Sequence, residues 1–142
     1  MSAVSEFQLR NQLPELRRAN DLVQAFSQAN DLPQIVVQAL DLSLTEWITN
    51  IISYGYADSA EHLIQVRLEI VNGTVRAEVT DDASPFNPLT HPPVDTNAPL
   101  ETRPIGGLGI HMMRRLMDAV DYRREGTRNI VTMSKSAAGM KK

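Results

Sequence analysis

An α+β fold, two layers deep, with helices on one face of a mixed, mostly antiparallel sheet, is what the order of periodic segments predicts. Three observations carry it. Two strand-like runs, residues 63–71 and 74–80, are joined by Asn72-Gly73, a dipeptide that closes tight hairpins because both residues tolerate positive φ. A second pair of runs, residues 120–125 and 129–135, turns at Gly126-Thr127. Two helical stretches precede the first hairpin, and a third lies between the hairpins.

Each element has its own justification. Residues 6–11 alternate polar and apolar, so a first strand is expected there. Pro14 suits the first turn of a helix, and Leu16, Ala19, Leu22, Val23 and Phe26 recur at helical spacing to about Ala29. Asn30-Asp31-Leu32-Pro33 breaks the pattern, with Asp31 as candidate N-cap and Pro33 as an early helical position. The next helix spans residues 33–54, and Gly55 is placed to end it. In the first hairpin Ile64, Val66, Leu68 and Ile70 alternate with Gln65, Arg67 and Glu69, which predicts one covered and one wet face. Residues 81–104 hold six prolines and no regular pattern, and a loop of that length in a small domain is more often functional than accidental. After it, Leu108, Met112, Leu116 and Met117 form the stripe of a third helix. Residues 136–142 read as a loose tail.

The chain has 142 residues, 42% of them apolar and 22% charged, with a formal net charge of -3. That length predicts one domain over residues 1–142 and a core that closes without staples. Net acidity argues against a nucleic-acid-binding face. No run of about eighteen consecutive apolar residues suggests a membrane span. No basic segment followed by an apolar one marks a secretory signal, so the expected location is cytoplasmic. Absence of cysteine excludes disulfides, thiolate metal sites and cysteine nucleophiles. Lysine stands only at positions 135, 141 and 142, so a lysine-dependent phosphate site has few candidates. His62, His91 and His111 have no ligand spacing, and Trp47, Met112, Met113 and Met117 read as packing residues.

Three stretches carry chemistry. Glu46 and Asn50 are four residues apart on the long helix, hence on one face. A carboxamide oxygen there suits a hard cation and the carboxylate suits orienting or deprotonating a nucleophile, although a solvated face would carry the same pair. Asp81 and Asp82 stand just past a strand, ahead of Ala83-Ser84-Pro85-Phe86-Asn87-Pro88, where acids serve either ligands or ordinary turns. Gly106, Gly107 and Gly109 run into the third helix. A glycine-rich approach to a helix start offers free amides and a favourable dipole to an anion, most often a phosphate, and the same residues would also make a plain turn.

In this order and at these intervals the three stretches resemble the N, G1 and G2 boxes of the GHKL ATP-binding superfamily, which includes gyrase, MutL and the histidine kinases. More closely, the chain is similar to the small RsbW-type anti-sigma factors, bacterial serine protein kinases. The resemblance covers residues 6–135 and implies a sandwich of the Bergerat type, with ATP and magnesium bound. It implies that Asn50 ligates magnesium, that Glu46 is the base toward the attacking hydroxyl, and that Asp81 accepts from the adenine amine. Gly106, Gly107 and Gly109 would let the backbone approach the phosphates. Ala83, Phe86, Leu108 and Ile110 complete the implied nucleotide set within the boxes, and Thr132 on the last strand would contact the adenine side. Residues 88–104 would be the ATP lid. Arg103, Arg114 and Arg115 are candidate phosphate contacts.

The implied function is an ATP-binding anti-sigma factor with protein serine/threonine kinase activity toward an anti-sigma-factor antagonist of the STAS type. A sigma factor is the second implied partner, with no direct nucleic-acid or membrane contact. The family tends to dimerise, and the first strand and helix are candidate surfaces. The chain departs from the family at Ala83, where the G1 box usually carries glycine. A nucleotide-gated switch that sequesters a partner without phosphoryl transfer is the alternative.

Overall fold

The two hairpins supply four strands of a five-stranded sheet, and the N-terminal segment supplies the fifth. The computed structural model describes residues 2–90 and 107–137. Strand β1 (Ser2–Arg10) leads to helices α1 (Glu15–Ala29) and α2 (Gln34–Tyr54), then to β2 (Leu63–Val71) and β3 (Thr74–Asp81). A 3-10 turn follows (Pro88–Thr90), and the later described elements are α3 (Gly107–Leu116), β4 (Ala119–Glu125) and β5 (Arg128–Ser136). The strand order is β1-β2-β3-β5-β4. All four pairings are antiparallel, so the expected mixed sheet is simpler than foreseen.

Both hairpin turns fall where the dipeptides place them. Asn72 and Gly73 take φ of 52° and 78°, and the ladder closes on Val71↔Thr74. At the second turn only Gly126 has positive φ, at 59°, between Glu125 and Arg128. β1 starts earlier than its own alternation suggests, because β2 pairs with it continuously from Leu9↔Ile64 to Ser2↔Val71.

Asp31 is not the N-cap of α2. It takes φ 53° at the end of α1, where its N–H bonds to Gln28 O while Leu32 N–H reaches Ser27 O at 3.1 Å. That pair of bonds is a Schellman closure, in which the left-handed residue follows the C-cap. α2 instead starts behind Pro33, whose carbonyl accepts from Val36 and Val37 at 3.0 Å each.

Register assigns the faces. Ala77, Val79 and Asp81 lie opposite Met133, Val131 and Asn129, on the side buried by the helices. Ile64, Val66 and Leu68 continue that side across β2. From α2, Val36, Leu40, Leu44, Trp47, Ile48 and Ile51 join this core. Full burial of side chains of this size contributes about 1.5–3 kcal/mol each. α2 is long and apolar enough to span a membrane by length and composition, yet half of the qualifying window is buried inside the fold. In α3 the buried stripe is Ile110 and Met113, continued by Met117; Met112 is only half-buried, one position off the expected stripe.

The helix-free face is polar. Glu6, Arg67 and Glu78 form a row across β1, β2 and β3, with Arg67 Nη1 3.0 Å from Glu6 Oε2.

Candidate nucleotide site

The last residue of β3 anchors the site. Asp81 belongs to the strand rather than following it, because it pairs with Asn129 on β5. Its side chain therefore points into the helix side, and the residue is only 2% exposed. Oδ1 accepts from the Ala83 N–H at 2.9 Å and from Asn129 Nδ2 at 2.9 Å. Oδ2 is equally buried and has no partner among the described residues. Burial pushes the Asp81 carboxyl above the usual carboxylate range, and the Asn129 and Ala83 donors only partly offset it.

Asp81 is also one of the residues lining a cavity of about 180 Å³, together with Asn50, Ala83, Phe86 and Asn129, with Trp47 among its other walls. Phe86 stacks on Trp47 with ring centroids 6.0 Å apart and planes 25° apart. Trp47 is therefore both a core residue and part of the cavity wall.

Asn129 is the residue that sequence reasoning missed. Its Nδ2 lies within hydrogen-bond reach of Asp81 Oδ1, Ala83 O at 3.2 Å and Ser84 O at 3.0 Å. Its Oδ1 accepts from the Tyr122 hydroxyl at 2.6 Å and from Arg124 Nη1 at 3.1 Å. Arg124 also donates to Ala83 O at 2.9 Å. Tyr122 and Arg124 share the helix side of β4, whereas Arg123 faces away and pairs with Glu125. The turn after β3 is thus tied down by the second hairpin. Asparagine in a strand is a poor β-former, and that mismatch was the one available signal.

Ala83 fits where the family usually carries glycine. It is absent from the left-handed region, the only described non-glycine residues with positive φ being Asp31 and Asn72. Its methyl is buried against Gly55, where a Cβ would sit 2.8 Å from Ala83 Cβ and 2.7 Å from Ile51 O. Gly55 itself has φ -80°, so its value here is space rather than left-handed torsion. The Ser84 N–H closes the contact by donating to Gly55 O at 3.1 Å.

Glu46 and Asn50 share the α2 face as expected. Asn50 lines the cavity, and the Glu46 carboxylate lies against the α3 start, where a Cβ on Gly109 would collide with Oε2 and come within 3.1 Å of Cδ. Gly109 is therefore required by Glu46. Ile110 turns its side chain into the core, leaving only backbone for a ligand. Gly107 and Leu108 begin α3. Gly106, Arg103 and His91 lie outside the described residues, as does residues 91–104 of the expected lid. Arg114 and Arg115 are exposed on the last turn of α3.

Thr132 does not join the site. It lies opposite Glu78 and Asp121, between Val131 and Met133, so it faces away from Asp81. Strand alternation decides this: Asn129 and Val131 hold the helix side, and an odd offset from either reverses the face.

Outside the cavity Asp82 enters a second cluster. His62 Nδ1 lies 3.2 Å from Asp82 Oδ2, and Nε2 lies 2.8 Å from Asp58 Oδ1. The Tyr56 ring stacks on His62 at 4.1 Å, and its hydroxyl donates to Asp82 Oδ1 at 3.0 Å. Hydrogen bonding to Asp58, then to Asp82, raises the His62 pKa. Partial burial works against the Asp82 charge, but His62 and Tyr56 outweigh it and hold the carboxyl below its usual range.

Comparison with known proteins bears on the fold and the family. The chain is 30% identical over 91 residues to the anti-sigma F factors of two Clostridium botulinum strains, Alaska E43 and Eklund 17B. That alignment covers 61% of this chain and 62% of each relative, so it spans less than two thirds of their length. Among solved structures, the RsbU and RsbW domains of a Mycobacterium tuberculosis protein superpose with a TM-score of 0.66 at 12% identity, over 94% of this chain and 32% of that one. The Acinetobacter baumannii histidine kinase AdeS gives 0.51 at 15% identity, over 95% of this chain and 68% of that one. At such identities these likenesses speak for the fold, the two-layer sandwich of the histidine kinase-like ATPases. Residues 9–135 match the family described as histidine kinase-like ATPase domain, and the chain belongs to that family.

Proposed function

We propose that the protein binds ATP with magnesium and transfers the γ-phosphoryl group to a serine or threonine of a protein antagonist, acting otherwise as an anti-sigma factor. The observation that carries this reading is that Asn50 and Asp81 line one cavity while Glu46, one turn before Asn50 on α2, lies against Gly109 at the start of α3. A buried carboxylate oxygen without a donor matches an exocyclic amine of adenine. Asn50 supplies one neutral oxygen, which suits an ion that keeps most of its ligands on phosphates and water. Magnesium, when bound, would neutralise charge on the phosphates. Glu46, at the glycine-rich start of α3, would take the proton of the attacking hydroxyl while the hydroxyl oxygen forms the new bond to γ-phosphorus and ADP leaves. The printed descriptions of the Clostridium relatives supply the anti-sigma part, and antagonist, sigma factor, cytoplasmic location and dimer follow by the same analogy.

The alternative, a nucleotide-gated switch without transfer, rests on Ala83 in place of glycine; Ala83 is buried and does not take positive φ. The test uses labelled ATP and a candidate antagonist. Glu46→Gln should keep ATP affinity while transfer falls by about a hundredfold or more. Asn50→Ala should weaken magnesium-dependent binding and abolish transfer. Transfer by Glu46→Gln at the wild-type rate would remove Glu46 as base. No transfer by the wild type to any antagonist would restore the switch.

A further inference from the structure

Glycine serves a fold in two ways, by torsions that other residues resist or by the space of a missing side chain. Gly73 and Gly126 are of the first kind, with positive φ in the two hairpin turns. Gly109 is not, since it lies inside α3 and is absent from the glycines with positive φ. Glycine is also among the poorest helix formers, and alanine at this position would favour α3. Space is therefore what position 109 keeps.

The neighbours of that space differ from those of the other packed glycine. At Gly55 a Cβ would meet a backbone oxygen, Ile51 O, at 2.7 Å and the buried Ala83 methyl at 2.8 Å. At Gly109 the three nearest atoms all belong to one side chain. A Cβ there would collide with Glu46 Oε2 and lie 3.1 Å from Cδ and 3.3 Å from Cβ of the same residue. Glu46 is half-buried, and its carboxylate is the far end of a flexible side chain. α3, by contrast, is fixed in the core by Ile110, Met113 and Met117. An added methyl at 109 would therefore push the carboxylate aside and leave the helix where it is.

We propose that Gly109 is a positioning residue for Glu46: its bare α-carbon seats the carboxylate against the first turn of α3, at the place from which it takes the hydroxyl proton. The proposal rests on the reading of Glu46 as base and adds to it. It gives this glycine a duty apart from the phosphates, because the room it makes is taken by an acid of the protein itself. A base must stand within hydrogen-bond reach of its proton, so a small displacement of the carboxylate is costly.

The experiment compares the wild type, Gly109→Ala, Glu46→Gln and the double variant by urea unfolding, by calorimetric titration with ATP and magnesium, and by phosphoryl transfer to an antagonist. Gly109→Ala should unfold at the wild-type urea concentration or a higher one. It should bind ATP within about twofold of wild type and transfer about tenfold to a hundredfold more slowly. In the Glu46→Gln background the same alanine should slow transfer by no more than about twofold, because the group it displaces no longer acts as base. The full loss repeated in that background would overturn the proposal, since Gly109 would then act independently of Glu46. A fall in ATP affinity of about tenfold or more would also overturn it and give the space to the phosphates. So would a lower urea midpoint, which would give the space to packing. Wild-type transfer by Gly109→Ala would overturn the positioning role alone. A wild type that binds ATP yet transfers to no antagonist would overturn the kinase reading and the positioning role with it.

Discussion

Asp81 and Asp82 are adjacent in sequence and sent to opposite sides of the same strand end. Asp81 faces the helices, is sealed from water, and carries a carboxyl pushed up by burial. Asp82 faces outward, with a side chain 45% exposed, and its carboxyl is drawn down by His62 and Tyr56 despite some burial. Two identical side chains thus do different work. The inner one gives up solvation and leaves one oxygen without a partner among the described residues, while the outer one uses both oxygens to fasten the loop that leads into β2. The difference teaches that the cost of a polar site is carried on one side of the strand and its mechanical support on the other.

Removing the inner support should have the largest effect. Asn129→Ala would strip donors from Asp81, Ala83 and Ser84 and an acceptor from Tyr122 and Arg124 at once. Buried groups left unpaired predict a loss of roughly 3 kcal/mol in urea unfolding. A loss no greater than that of a surface substitution would mean that the turn after β3 is held by something other than Asn129.

Next comes the inner acid itself. Asp81→Asn keeps an oxygen for Ala83 and Asn129 but puts a donor where the free acceptor stood. ATP affinity should fall at least about tenfold, and stability should hold or rise. The raised folded pKa fixes the sign: the contribution of Asp81 is fully present below its unfolded value, about 3.9, and is lost as pH rises through the folded one. The wild type should therefore lose stability relative to Asp81→Asn across that interval. A variant that is less stable than wild type at neutral pH would contradict the stated cost of burying the carboxylate.

The outer side should give the smallest effect. His62→Gln breaks contacts to Asp58 and Asp82 that are largely exposed, so thermal unfolding should shift by under about 2 °C, with ATP affinity unchanged. The His62 pKa is raised, so its stabilisation is full below about 6.5 and fades as pH climbs through the folded value. The Asp58 and Asp82 pKa values are lowered, so theirs is present above about 3.9 and fades as pH falls through the folded values. The difference between wild type and variant should peak between those limits. A difference that grows toward alkaline pH would invert the assigned charges.

Turn dipeptides and local periodicity determined the hairpins, all three helices, the covered face of β2 and the pairing of Glu46 with Asn50, because each depends on spacings of two to four residues. The order of the three boxes likewise made the family legible. Tertiary structure decided what depends on partners distant in sequence. Asp31 became the closure of α1 because its own N–H found Gln28. β1 took its length from β2. Thr132 left the site, and Asn129 and Arg124 entered it, because register against β3 fixes which side of β5 and β4 meets Asp81. Ala83 could replace glycine because Gly55, 28 positions away, leaves the space that its methyl fills. A hydrophobic pattern names the buried face, but only the packed neighbours set which polar atoms on it are paired and which are not.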